Sequence, residues 1–372
     1  MKVIHIVENL DKGAVENWLV NVFIESKNLR PHWEWTFYCI LGQPGRLDSA
    51  VRAAGGSILY SPYTISQKWR FLNSLRKVLK TNRYDILHSH HDYLSGFYLL
   101  STIGIGFKMK ILQIHNTDKS LPVGNKKFEK LLLRVFKTLA IHFSDLIVGI
   151  SEVTLKQFID HSFIKKRATI LYYGIDMMAF SQPIDSNSFR TEMGIPIAAK
   201  MILFSGRLNS YKNPLFVIEI LKEIVKSNKS FYAIFVGQGD LSKDIVLLAR
   251  KYGIEDHIRL TGFRNDLANI MRSCDVFVFP RVEEPKEGLG LVVVESQAAG
   301  LPMVLSYGIV EDAIEIKELA TFISLKDNVA EWATIIINTK KTLLPSLALQ
   351  RMIDSKFSLP RATQHLIDLY EN

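Results

Sequence analysis

Cysteine is scarce. Only Cys39 and Cys274 occur in 372 residues, far apart and each beside an apolar run. That argues against a disulfide framework or a cysteine-ligated metal, and buried free thiols are the expectation. No apolar run reaches membrane-spanning length either. No uncharged stretch exceeds 15 residues, and one of that length, Tyr93 to Phe107, is broken by three glycines, short of the ~20 that a spanning helix needs. No secretory signal is expected, since Met1 to Val7 carries Lys2 and His5 and runs directly into Glu8; the expected location is cytoplasmic. Repeats and low-complexity tracts are lacking, which excludes solenoids and long disordered tails. With 48% hydrophobic and 22% charged residues, the composition is that of a globular chain long enough for two domains.

Acidic residues are in short supply in one half only. Residues 1 to 180 hold 24 Lys or Arg against 14 Asp or Glu, a balance of +10, whereas residues 181 to 372 hold 22 against 23, a balance of −1. A basic domain can face nucleic acid, an anionic membrane or an acidic substrate. No nucleic-acid-binding motif is present, so no nucleic-acid partner is expected.

What is present is an alternation of short apolar runs with amphipathic segments, the pattern of doubly wound α/β domains. Strands are expected at Lys2 to Val7, Trp35 to Leu41, Ser57 to Tyr60, Lys110 to Ile114 and Asp145 to Gly149, and again at Met201 to Phe204, Phe231 to Val236, Ile258 to Leu260 and Val276 to Phe279. The polar, proline-containing stretch after Phe180, up to Pro196, reads as a linker.

The most informative stretch runs from Glu287 to Pro302. Gly288 and Gly290 allow a tight turn and a close approach of backbone to a ligand. A helix is expected after them, ending at Gly300 with Pro302 beyond, although three consecutive valines keep a strand reading open for Leu291 to Val294. Strand, glycine turn and helix together present backbone N–H groups and a positive dipole end to phosphate. Glu287 and Glu295 bracket the turn. If all eight steps between them were helical they would lie roughly 12 Å apart, too far to share one glycosidic bond as a hydrolase pair does at ~5–9.5 Å.

Other candidates lie at strand ends. His88, His90, His91 and Asp92 are four metal-capable side chains close together, but a strand ending there sends His88 and His90 to one face and His91 to the other, and no metal site is expected. His115 closes the strand at Lys110 to Ile114. Gly206 and Arg207 follow the strand ending at Phe204, with Lys212 ahead of Asn213 and Pro214, an N-cap with proline at the first helical position. Asn125 to Phe143 is amphipathic, with Lys126, Lys127, Lys130, Arg134 and Lys137 among Phe128, Leu131, Leu132, Val135 and Phe136. An ordinary domain helix with a solvated basic face is the preferred reading; a membrane-surface helix that reads anionic lipid is the alternative.

The Glu287 to Pro302 block, Glu-Gly-x-Gly-x-x-x-x-Glu-x-x-Ala-x-Gly-x-Pro, resembles the signature of the retaining glycosyltransferases of GT-B fold, family four. The resemblance extends over nearly the whole chain through Gly13-Ala14, Ile86 to His90, His115, Tyr173-Gly174-Ile175-Asp176, Arg207 with Lys212, and Gly262-Phe263-Arg264. It implies two Rossmann-like domains facing across a cleft: residues 1–175 on the acceptor side, residues 176–356 binding the nucleotide sugar, and a terminal helix in 357–372 crossing back to the first. It implies a hexosyltransferase using a nucleotide sugar, UDP-linked, and a glycan or lipid-linked acceptor in surface polysaccharide synthesis, with no separate cofactor. Catalytic roles then fall to His115, Arg207, Lys212 and Glu287. Donor contacts fall to Gly13, Gly206, Arg207, Lys212, Gly262, Phe263, Arg264, Gly288, Leu289, Gly290, Leu291 and Glu295, with Glu287 on the sugar and Glu295 on the ribose.

The chain departs from the family in three places. One glycine is missing beside Gly13, which moves Glu16 one position on; Tyr173 stands where the family has Asn; and the Arg281 to Lys286 link is longer than usual. A UDP-sugar epimerase of the same fold, or a binding protein without turnover, are the rival readings.

Overall fold

The computed structural model describes residues 1–11, 13–117, 127–159 and 167–372, the side chains of 127–129 excepted. The chain divides into two compact units, Met1–Ile175 with Lys356–Asn372, and Asp176–Ser355.

In the first unit, seven strands among the described residues form one parallel sheet. They are β1 (Lys2–Val7), β2 (Glu34–Cys39), β3 (Ser57–Tyr60), β4 (Ile86–Ser89), β5 (Met109–Ile114), β6 (Leu146–Gly149) and β7 (Ala168–Ile170), in the order β3-β2-β1-β4-β5-β6-β7. β1, β2 and β4 are buried along almost their whole length, as strands covered on both faces must be. The helix Leu359–Glu371 belongs to this unit: Ile175 N–H donates to Phe357 O at 2.8 Å, and Arg30 holds Glu371 through two hydrogen bonds of 2.6 and 3.0 Å.

The second unit repeats the plan with β8 (Lys200–Ser205), β9 (Phe231–Val236), β10 (Ile258–Gly262), β11 (Val276–Phe279), β12 (Met303–Leu305) and β13 (Ala320–Phe322), ordered β10-β9-β8-β11-β12-β13. In both sheets the order reverses beside the first strand of the unit, between β1 and β4 and between β8 and β11. Such switch points open a crevice at the carboxyl ends of the strands, where α/β proteins bind ligands.

Two expectations need correction. The stretch read as linker is structured: Ser186–Glu192 is helical, with Phe189 buried. Local capping explains it, since Asp185 accepts from Ser188 N–H at 2.9 Å and Arg190 donates to Ala199 O at 2.8 Å. The eight steps from Glu287 to Glu295 are also not all helical, because the helix spans only Leu291–Ala298; the 12 Å figure loses its premise. The valines are helical rather than extended, and Gly300, at φ +64°, follows the last turn.

Candidate active site

The donor-type residues of the second unit gather at the carboxyl ends of its strands. Gly206 N–H donates to Val236 O at 2.9 Å and Gly237 N–H to Gly262 O at 2.8 Å, so the turns leaving β8, β9 and β10 lie edge to edge. The fit requires glycine at 237, where φ is +137° and a Cβ would sit 2.0 Å from Gly206 O. Arg207 emerges from this turn, exposed and without an ion pair among the described residues.

Lys212 follows, its N–H held by the Asn209 side chain at 3.0 Å. Its Nζ lies 2.5 Å from Oε2 of Glu287 and 5.2 Å from the centre of the Phe279 ring. Arg281 reaches the same carboxylate oxygen through Nε, also at 2.5 Å. Burial by itself would raise the Glu287 carboxyl, but the charges of Lys212 and Arg281 outweigh it and hold the group below its ordinary value. Lys212 is lowered by burial and by Arg281 and Arg207, against the pull of Glu287. Arg281 was missed by sequence reasoning, which registered only the length of its loop.

Gly290 caps the helix Leu291–Ala298 at φ +83°, a left-handed conformation that favours glycine. Leu289 is buried, while Gly288 and Leu291 are half-buried. Glu295 lies one turn into this helix, half-buried and with no hydrogen-bond or ion-pair partner among the described residues. Burial pushes its carboxyl up to about 7. At the end of β10, Phe263 is exposed; the Arg264 guanidinium is taken up by Asp266 and Glu192, at 2.8 and 2.5 Å. The Arg264 side chain is thus committed to carboxylates of its own unit.

In the first unit a cavity of about 490 Å³ is lined by Glu8, Glu16, His90, His91, Asp92 and His115 among apolar side chains that include Ile65 and Leu133. Gly13 caps the helix Ala14–Leu29 and, with Asn9, Asp11, Glu16 and Arg46, lines a neighbouring pocket of the same unit. Burial raises the Glu16 carboxyl, helped by Glu8 and Asp11.

His115 lines the larger cavity, yet both its ring nitrogens are committed. Nδ1 meets the Tyr173 hydroxyl and Nε2 meets His90 Nδ1 at 3.2 Å; His90 Nε2 in turn meets His5 Nδ1 at 3.0 Å. Burial holds His5, His90 and His115 well below the usual histidine value and takes His88 down to about 3, so the rings are neutral. Each neutral ring has one N–H to give, so the contacts run in one sense along the array and leave His5 Nε2 without a partner. Ring nitrogens of His5, His88 and His90 come within 4.8 Å of one another. His88 and His90 stack with ring centres 4.3 Å apart, and the facing nitrogens of His5 and His90 are already used on one another at 3.0 Å. The sequence reading found His88, His90 and His115 but neither His5 nor Tyr173 as their partners.

Comparison with known proteins bears on the family and the fold. The model of the family "Glycosyl transferases group 1" matches residues 185–338, and that of "Glycosyltransferase Family 4" matches residues 32–178. The chain is 24% identical over 379 residues to the capsular polysaccharide biosynthesis glycosyltransferase CapH of Staphylococcus aureus, covering 100% of this chain and 98% of that one. It is 25% identical over 298 residues to the UDP-Gal:alpha-D-GlcNAc-diphosphoundecaprenol alpha-1,3-galactosyltransferase of Escherichia coli, covering 77% and 75%. In fold it is similar to HepE of Anabaena, solved in complex with UDP, at a TM-score of 0.79 and 18% identity over 100% of both chains. With one family model met in each half and a relative aligned end to end, the chain belongs to the family 4 glycosyltransferases, enzymes of the GT-B fold.

Proposed function

We propose that this enzyme moves a hexosyl unit from a UDP-sugar to a glycan or lipid-linked acceptor, with retention of configuration, in surface polysaccharide synthesis in the cytoplasm. The observation that carries the reading is the carboxylate of Glu287 held between Lys212 and Arg281, beside the Gly290 helix start, at the switch point of the second sheet. The names of the relatives support the nucleotide and the acceptor: one is named for UDP-Gal and a diphosphoundecaprenol acceptor, and HepE has been solved with UDP-glucose.

In this proposal Arg207 and Lys212 neutralise the diphosphate and Glu287 accepts hydrogen bonds from hydroxyls of the sugar. Glu295 takes the ribose, and the backbone of Gly262 to Arg264 faces the base. His115 forms wall, with its ring nitrogens used inside the protein. The bond from the anomeric carbon to the phosphate oxygen breaks and UDP leaves with the electron pair. The acceptor oxygen bonds the anomeric carbon on the same face and its proton passes to the departing phosphate oxygen. Fixed cations at that oxygen lower the barrier because negative charge grows there. The scheme needs no metal and no further cofactor.

The test is incubation with a panel of nucleotide sugars and glycan or lipid-linked acceptors, with products read by mass spectrometry and anomeric configuration by NMR. A glycosylated acceptor of retained configuration is expected. Free epimer without any acceptor would replace the reading with an epimerase, and binding without turnover would replace it with a sugar-nucleotide binding protein.

A specific observation favours an anionic membrane as a further partner. On the helix Lys127–Phe143, Leu131 and Val135 are exposed together with Lys130 and Arg134, and Trp69, 78% exposed, lies between exposed Lys68 and Arg70. Ile65 and Leu133, from the same two stretches of chain, line the first unit's cavity, so this basic and apolar surface lies near that cavity. No described helix is long and apolar enough to cross a membrane. Lys126 of the expected basic face lies outside the described residues.

A further inference from the structure

Arg281 is 4% exposed, a guanidinium almost wholly inside the protein. Its position is over-determined. Nε donates to Glu287 Oε2 at 2.5 Å, Nη1 donates to Val282 O at 2.8 Å and to Pro285 O, and its own carbonyl accepts from the Ser306 hydroxyl. Lys212 is held differently. Its Nζ makes one hydrogen bond, to that same Oε2, from the end of a flexible stem, and its side chain keeps 21% of its surface exposed.

Two cations therefore share one oxygen of one carboxylate, and the trio carries a net positive charge, with Arg207 acting on Lys212 from outside. Glu287 Oε1 has no partner among the described residues and is the oxygen left for a sugar hydroxyl. The arrangement has a surplus that one ion pair would lack. If Arg281 were absent, drawing Lys212 away would leave a buried carboxylate alone, and such a group takes up a proton rather than stay charged.

We propose that Arg281 is a positioning residue, the permanent charge partner of Glu287, and that donor binding draws Lys212 off Glu287 onto the diphosphate while Arg281 keeps the carboxylate in place. The proposal rests on the reading of this site as the seat of a nucleoside diphosphate. It accounts for the length of the Arg281 to Lys286 link: the loop must carry a guanidinium inward and bond it to its own carbonyls. Among the described residues, the charged groups facing Glu287 are Lys212 from the loop after β8 and Arg281 from the loop after β11.

The experiment is calorimetric titration of UDP into the full chain at pH 8 in buffers of different ionisation enthalpy, which counts protons exchanged on binding. Wild type is expected to take up almost none. R281Q is expected to take up about one more proton per UDP than wild type, with affinity falling about tenfold per pH unit above the new carboxyl value. R281K restores the charge without the same carbonyl bonds and should bring the count back toward wild type; a structural role alone would not be rescued. Equal counts for wild type and R281Q, or a count in R281K as high as in R281Q, would overturn the proposal.

If wild type binds no UDP, the donor reading fails by itself and a ligand-free arm still decides the role of Arg281. K212M should unfold at nearly the wild-type temperature at neutral pH, because Arg281 remains on Glu287. K212M/R281Q should unfold earlier at neutral pH and recover on acidification, and the absence of that pH-dependent difference would also overturn the proposal.

Discussion

Lys212 Nζ lies 2.5 Å from Oε2 of Glu287, although 75 residues separate them in sequence. The contact exists because β8 and β11 are hydrogen-bonded neighbours, Ile202 beside Val276 and Leu203 beside Phe277, so the loops that leave them emerge side by side. The cation proposed for the diphosphate and the carboxylate proposed for the sugar thus belong to one cluster.

Replacing Lys212 by alanine is expected to lower turnover by ~10²-fold or more, the usual scale for one preorganised charge partner in a transition state. Steady-state kinetics with a confirmed donor measures it. Near wild-type turnover would remove Lys212 from the mechanism.

Glu295→Gln and Glu287→Gln should separate the two ends of the donor. E295Q is expected to weaken UDP itself, while E287Q leaves UDP affinity nearly intact and impairs transfer; calorimetry showing the reverse would exchange the roles. Glu295 also sets a pH signature. Its folded carboxyl keeps a proton up to about 7, against an ordinary value of 4.5, so between those values the folded protein holds more protons than the unfolded chain. Stability should therefore fall as pH rises through that window. Thermal unfolding at pH 5 to 8 should show a slope that is smaller in E295Q.

Tyr173→Phe should cost about 1–3 kcal/mol, the penalty for leaving a buried polar group without its partner, here His115 Nδ1. Urea unfolding checks this, and an unchanged midpoint would mean that the hydroxyl contributes nothing to the array. Turnover should fall less than in K212A, because the His115 ring nitrogens face the protein interior.

Membrane association should require anionic lipid and weaken with salt, since each basic residue at such a surface contributes about 1 kcal/mol and is screened. In vesicle sedimentation, K130E/R134E and Trp69→Ala are each expected to reduce recovery. Equal recovery on neutral vesicles, or none on either, would discard the membrane as a partner.

Much of the fold was legible because its signals are local. Expected strands at Ser57 to Tyr60, Phe231 to Val236 and Val276 to Phe279 coincide with β3, β9 and β11, since short apolar runs bounded by turn residues are what buried parallel strands look like. The Leu291–Ala298 helix was legible from its Gly-x-Pro stop despite its valines. The helix Ser186–Glu192 was not, because polar composition concealed a short helix capped by Asp185 and anchored by one buried phenylalanine. On the helix Lys127–Phe143, sequence marked Leu131 and Leu132 alike as apolar. Packing left Leu131 58% exposed and half-buried its neighbour.

The class of fold, the family, and the separate candidacies of Arg207, Lys212, Glu287 and Glu295 are written in contiguous residues, because periodicity, glycine turns and a spaced motif are local properties. Folding in three dimensions was needed to show that Lys212 and Arg281 share one oxygen of Glu287, that His115 is tied to Tyr173 and His90, and that His88 meets the Tyr370 hydroxyl at 2.7 Å across 282 residues. Those contacts depend on which strands become neighbours and on where the last helix returns. Strand order follows from burial summed over a whole sheet, and no local period records it.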